Sequence, residues 1–318
     1  MSSRSGANNT NIIIITGPTA TGKTALSVEL AKMVHGEIVS ADSMQVYKHM
    51  DIGTAKPSRS EMGGIPHYMI DCISPEDDYS VARYVRDASK CVDDIIERGK
   101  TVVLVGGSGQ YIDALIAGRV FSSRGDHELR KELEHEYDNI GGEAMLIKLS
   151  SFDSDAAQRL YPNDKKRIVR AIETFITTGK TISQHDEETK AILPRYAATK
   201  FALTYADRDD LYTRINQRVD EMISQGLQDE VKNLLDMGIT QRCTAMQAIG
   251  YKEISAAIVN NSNINDAVEQ VKMESRRYAK RQLTWLRRDK DVKWITWDGI
   301  ADTIFAVEII TTVYNGRD

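Results

Sequence analysis

One stretch of eight residues limits what this chain can fold into more than any other: Gly17, Pro18, Thr19, Ala20, Thr21, Gly22, Lys23 and Thr24. It follows a continuous apolar run, Ile12 to Ile15, and precedes a segment in which Leu26, Leu30 and Val34 recur four apart. An unbroken isoleucine run reads as a strand buried on both faces, the habit of a parallel sheet covered by helices. The spacing of the two glycines and of Lys-Thr is that of a loop whose main-chain N–H groups converge on phosphate oxygens. The helix that follows turns its positive end toward the same point. Lys23 adds a point charge, and the Thr24 hydroxyl is placed to reach a Mg2+ ion. The stretch therefore predicts a strand, a phosphate-cradling turn and a helix in direct succession.

The alternation continues along the chain. Residues 37–41 predict a second strand, 80–98 a helix stopped by Gly99, and 101–105 a further buried strand ending in Gly106 and Gly107. Near residue 120 the pattern changes, and residues 122–198 read as charge-rich helix with almost no strand signal. Strand character returns at 201–205, helix at 211–226, 228–237 and 265–289, and a short strand at 293–297. The expected architecture is α/β: a parallel sheet core of the phosphate-loop NTPase type, flanked by helices and formed by residues 1–121 and 199–318. An all-helical insertion domain at 122–198 interrupts it.

Composition enters where it excludes. A chain of 318 residues buries a sizeable core without covalent staples. The Ile12 to Ile15 run is far too short to span a bilayer, and the polar N-terminus does not read as a signal peptide. Cys72, Cys91 and Cys243 are odd in number and far apart, which excludes a disulfide framework or a CxxC metal site and points to a reducing cytoplasm. The six histidines have no ligand spacing, so none is assigned to a metal. The formal charge is −5, so a nucleic-acid partner has to be argued from local patches. Between Lys272 and Lys293 there are nine lysines or arginines against three acids. Arg277, Lys280, Arg281, Thr284 and Arg288 recur there at helical spacing, a face suited to tracking phosphates. Lys165, Lys166, Arg167 and Arg170 form a second basic patch in the insertion. The alternative for both is an ordinary solvated face.

A phosphate loop requires a phosphorylated ligand; it does not require ATP hydrolysis, although ATP-binding is the label the pattern usually carries. Kinases and ATPases of this class use an acid at the end of a nearby strand. Here strand 101–105 runs into Gly106, Gly107 and Ser108 with no carboxylate. The acid that does follow a strand is Asp42, in Asp42-Ser43-Met44-Gln45-Val46-Tyr47. At the carboxyl end of the second strand it belongs beside the phosphate loop, where it can bind Mg2+ or accept a proton. An exposed turn aspartate is the alternative.

With these segments in hand, the chain resembles the tRNA dimethylallyltransferases, also called tRNA isopentenyltransferases. The resemblance begins with residues 17–24, Asp42 to Tyr47 and Asp51-Ile52-Gly53-Thr54-Ala55-Lys56-Pro57. It continues through Ile65 to Asp71, Tyr79 to Ala82, and Gly106-Gly107-Ser108-Gly109-Gln110-Tyr111. Asn163 to Glu173, Ala248 to Glu253 and Arg277 to Trp285 complete it, so that it covers about residues 12–298. One departure is Ser108, where the family usually has threonine.

The resemblance implies transfer of a dimethylallyl group from dimethylallyl diphosphate to N6 of adenosine 37, next to the anticodon of tRNA, with release of diphosphate. It implies a cytoplasmic, monomeric enzyme with Mg2+ as cofactor, assigned to Thr24. The phosphate loop would hold the diphosphate. Asp42 would be the base, Ser108 a catalytic hydroxyl, and an arginine from Arg214 to Arg218 a diphosphate contact, with Arg218 favoured. Implied tRNA contacts are Asp42, Ser43, Met44, Gln45, Ser108, Arg130, Lys166, Arg167, Ile168, Val169, Arg170, Gln247, Gly250, Tyr251, Lys252, Arg277, Lys280 and Arg281. The sequence end at Asp318 without Cys/His pairs suggests a bacterial-type member lacking a zinc-finger extension. Rival readings are an isopentenyltransferase acting on free adenine nucleotides, a nucleotide kinase and a non-catalytic RNA-binding module. The missing strand-end acid weighs against a kinase; the complete phosphate loop and Asp42 weigh against a mere binding module.

Overall fold

The structure, a computed structural model, describes residues 12–119, 126–191 and 193–316. The expected domain boundary at 121/122 falls outside them. In chain order the first elements are β1 (Ile12–Thr16), α1 (Lys23–Met33), β2 (Gly36–Ser40), β3 (His67–Tyr68), α2 (Val81–Glu97), β4 (Thr101–Val105) and α3 (Gly109–Ala117). Then come α4 (His127–Ile140), α5 (Gly142–Ser150), α6 (Ser154–Arg159), α7 (Lys165–Thr178) and α8 (Ile182–Ala191). The chain continues through β5 (Ala198–Tyr205), α9 (Arg208–Ser224), α10 (Leu227–Asp236), α11 (Tyr251–Val259), α12 (Ile264–Leu286), β6 (Lys293–Trp297) and α13 (Thr303–Tyr314). Two compact units result: residues 117–194, and the remainder.

In the larger unit all six strands are parallel, in the order β3-β2-β4-β1-β5-β6. The isoleucine run explains why β1 sits inside the sheet. Ile12 and Ile14 pack with Val102, Leu104 and Tyr84 on one face, and Ile13 and Ile15 with Leu26, Phe201 and Leu203 on the other. Alternate side chains thus feed two separate cores, as the period of two requires. At the end of the sheet away from the loops, Glu37 of β2 is 2% exposed and takes two hydrogen bonds from Arg98, at 2.7 and 2.6 Å. Those bonds, opposed by burial and helped by Lys100 and Tyr68, hold its carboxyl down at about 2. The short β3 and the helices α3, α11 and α13 carry no strong periodic signal in the sequence, and the structure adds them. α12 ends at Leu286, three residues earlier than its charge pattern suggests, so Arg288 lies beyond it.

The smaller unit is helical. Leu133, Met145, Leu149, Ile168 and Ile172 form its core, with Phe152 stacked on Phe175 at 4.1 Å. Glu173 is fully buried there and paired with Arg130 and Arg170, each at 3.0 Å. Among the described residues of the whole chain, no helix is long and apolar enough to cross a membrane.

Candidate active site

The loops leaving β1, β2 and β4 converge on a cleft of about 900 Å3. Three glycines make the convergence possible. Gly17 has φ +137°, and a Cβ there would lie 2.5 Å from the Leu203 carbonyl oxygen. Gly22 has φ +84° at the entrance to α1, a left-handed conformation that glycine adopts without strain. Gly106 lies so close to Ala41 that a Cβ would overlap the Ala41 main chain. Within the first loop, Thr21 donates to the Pro18 carbonyl at 2.9 Å, and Trp297 Nε1 donates to the Thr21 carbonyl at 3.0 Å.

Two cationic side chains meet here. Lys23 Nζ folds back onto its own loop and donates to the carbonyls of Gly17 at 3.0 Å and Pro18 at 2.6 Å. Burial and the Arg218 guanidinium bring its ammonium down to about 7, against the opposite pull of Asp42. Arg218, from α9, lines the same cleft. Burial lowers its pKa, opposed by Asp42, Glu221 and Glu61. Its Nε is buried and has no hydrogen-bond partner among the described residues. A buried donor left in that state calls for an acceptor, and Lys23 lines the same cleft. The other arginine of the segment, Arg214, lies over the Tyr205 ring at 5.7 Å instead.

Asp42 is brought to the cleft by β2. The Ala41 N–H donates to the Val105 carbonyl at 2.7 Å, and the chain then turns. Asp42 Oδ1 accepts the N–H groups of Met44 at 2.8 Å and Gln45 at 3.3 Å, the self-capping habit of aspartate in turns. Both bonds use Oδ1 and neither engages Oδ2. Ser108 accepts the Ser43 N–H at 3.0 Å and donates to Ser43 Oγ at 3.3 Å, so its hydroxyl grips the Asp42 turn from behind. Gln45 is tied down by Ser40 at 3.0 Å and reaches the carbonyls of Thr54 and Ala55 at 3.3 Å.

Met44, Gln45, Gln247, Gly250 and Arg281 line the cleft with Asp42 and Ser43. Lys252, Arg277 and Lys280 are exposed, Arg277 pairing with Glu274 at 2.6 Å. In the smaller unit Lys166 and Arg167 are exposed. Three expected RNA contacts need correction. Ile168 and Val169 are 0% and 1% exposed and belong to the core of the smaller unit, and Tyr251 is fully buried with its hydroxyl on Glu230. A side chain committed to a core has no surface left for RNA; the basic residues around it misled because motif and core share one helix. Residues given no role from sequence also shape the cleft. Tyr278 and Gln282 line it from α12. Glu230 accepts the N–H groups of Asp51 and Ile52 at 2.8 Å and of Gly53 at 3.2 Å, shaping the loop that carries Thr54 and Ala55. A lone glutamate on a polar helix carries no sequence signal for such a task.

Among the described residues no group of three or more His, Cys, Asp or Glu side chains forms a metal cage. Mg2+ does not need one: it keeps several waters and takes one or two protein oxygens along with substrate phosphates. Thr24 and Asp42 both border the cleft beside Lys23 and supply hard oxygen, which fits a Mg2+ ion arriving with a diphosphate.

Comparison with known proteins gives a consistent outcome. The family model described as IPP transferase matches residues 45–289. A tRNA dimethylallyltransferase of Acetivibrio thermocellus is 47% identical over 289 residues, 91% of this chain and 92% of the relative. One of Geobacter metallireducens is 44% identical over 93% of this chain and 96% of the relative. Among solved structures, the tRNA isopentenylpyrophosphate transferase of Bacillus halodurans is 41% identical, covers 96% of each chain and superposes with a TM-score of 0.72. A eukaryotic dimethylallyltransferase acting on tRNA is 28% identical, with a TM-score of 0.82 over 97% of this chain and 80% of that one.

Proposed function

The chain belongs to the IPP transferase family, and from that premise we propose how its own residues carry out the reaction: transfer of a dimethylallyl group from dimethylallyl diphosphate to N6 of adenosine 37 in tRNA. The diphosphate takes the phosphate loop, held by the first-turn N–H groups of α1, by Lys23 and by Arg218. The hydrocarbon rests on the apolar side of the cleft, where Val219, Met222, Ile249 and Val271 lie. Adenine leaves the anticodon-loop stack to reach Asp42, since a stacked base cannot present N6 inside a cleft.

The N6 lone pair is delocalised into the ring and is a weak nucleophile. A carboxylate accepting the N6–H bond raises its reactivity. As the N6–C1 bond forms, the C1–O bond breaks and its electron pair leaves with the diphosphate. The N6 proton passes to Asp42 Oδ2. Lys23 and Arg218 stabilise the charge that grows on the leaving group, the point at which preorganised cations contribute most. Ser108 and Ser43 keep the Asp42 turn in place. Mg2+, held through Thr24, would add positive charge at the diphosphate. In the larger unit Lys252, Arg277, Lys280 and Arg281, and in the smaller one Arg130, Lys166, Arg167 and Arg170, supply charge for RNA phosphates. With three free thiols, the reaction is assigned to the cytoplasm.

One observation carries this reading: the buried, unpartnered Nε of Arg218, sharing the cleft with Lys23 and Asp42. The test is incubation with Mg2+, dimethylallyl diphosphate and an anticodon stem-loop carrying A36-A37-A38, followed by mass spectrometry. One dimethylallyl group should be added to the RNA. Transfer to free AMP, with none to RNA, would move the chain to the nucleotide-level alternative.

A further inference from the structure

Helix α12 has two working faces. Arg277, Lys280 and Thr284 are exposed, and Arg281, also exposed, borders the cleft as well. Tyr278 and Gln282, one turn apart on the other side, face the cleft. Gln282 is only 6% exposed. Its Oε1 accepts the Thr19 N–H at 3.2 Å, and its Nε2 donates to the Gly107 carbonyl at 3.1 Å. The first partner belongs to the phosphate loop after β1 and the second to the turn after β4. One partner can only donate and the other can only accept, so the orientation of the amide is fixed by chemistry. At this position a glutamate lacks the donor, and an apolar side chain lacks both groups. Gly107 is shaped to the same contact: a Cβ there would overlap Gln282 Nε2. Tyr278, one turn before Gln282 on α12, lines the same cleft as Asp42 and Ser43.

We propose that Gln282 is a positioning residue that latches the RNA-facing helix to both loops of the diphosphate site, setting the separation of the phosphate loop from the Gly107 turn. Thr19 N–H is consumed by this latch, so the diphosphate is left to the N–H groups nearer α1. A shift of α12 when RNA phosphates engage its basic face is thereby passed to the loop that holds the leaving group. The inference rests on the reading of the cleft as a diphosphate site.

The test uses Gln282→Met, which keeps the length and removes both hydrogen bonds, and Gln282→Glu, which keeps only the acceptor. Binding of inorganic diphosphate and of the anticodon stem-loop is measured by calorimetry on each full-length protein. Loss of bonds to two buried main-chain groups should weaken diphosphate binding by about 10- to 100-fold in the Met variant, with stem-loop affinity kept. The Glu variant should weaken it further, through negative charge beside the phosphate loop. Gly107→Ala should reproduce the Met defect by displacing the amide. Unchanged diphosphate affinity in both Gln282 variants, or equal losses for both ligands, would overturn the proposal. A wild-type protein that binds no diphosphate would instead overturn the reading of the cleft, and this inference with it.

Discussion

Asp42 is held by its own turn, with Met44 and Gln45 on one carboxylate oxygen. An asparagine in its place keeps that acceptor and the size of the side chain but cannot take a proton. Asp42→Asn is therefore expected to lower the single-turnover transfer rate by roughly 10² to 10⁴, with both substrates still bound. A defect that appears as weak diphosphate binding and recovers with excess Mg2+ would assign Asp42 to the metal alone. Lys23 gives a second measurement. With its ammonium held down to about 7 by burial and Arg218, most of it is neutral at pH 8 before ligand arrives. A bound polyanion favours the charged form and raises its pKa again. Diphosphate binding at pH 8 should take up close to one proton, and the uptake should fade below about pH 6, where free Lys23 is already charged. Calorimetry in buffers of different ionisation heat reads this directly, and Lys23→Ala should abolish it.

At the scale of elements, function is divided between strand ends and one helix. β1, β2 and β4 each deliver a loop to the cleft, and α12 closes it from outside the sheet. Val271, Ala279, Leu283 and Leu286 are buried beneath the helix, leaving Arg277 and Lys280 exposed. Replacing Arg277 and Lys280 together with alanine should leave diphosphate binding intact. It should weaken stem-loop binding and reduce the slope of log affinity against log salt by roughly one to two, the loss expected for two phosphate contacts. An unchanged slope would mean that this face is merely solvated. The element boundaries also show where periodicity misleads. The charge run continues past residue 286, but the Arg287 and Arg288 N–H groups close the helix on Leu283 and Trp285.

At the scale of the molecule, the core accepts the helical unit as an insertion without being broken by it. The Tyr196 N–H donates to the Ile116 carbonyl at 3.3 Å, so the two chain ends of the interruption lie side by side within the larger unit. Replacing residues 117–194 by a short glycine-serine linker should give a core that unfolds cooperatively and binds inorganic diphosphate as the full chain does. Stem-loop affinity should drop with the loss of Lys166 and Arg167. Failure of the shortened protein to bind diphosphate would show that the core depends on the insertion.

The sequence alone determined the succession β1, phosphate loop, α1, β2, α2 and β4, because these rest on local signals: a two-faced isoleucine run, glycines at fixed spacing and a helical period. It also marked Asp42, Lys23 and Arg218 as candidates, and the helical character of the insertion. Only the tertiary structure decided which arginine enters the cleft, that Ile168, Val169 and Tyr251 are core, that Ser108 holds a turn, and that Gln282 and Glu230 organise loops far from them in sequence. Thr19 and Gln282 are 263 residues apart, and Asp51 and Glu230 are 179 apart. Such pairs are made by packing between distant elements, and no local pattern of polar residues distinguishes an amide that will meet a loop from one that will meet water.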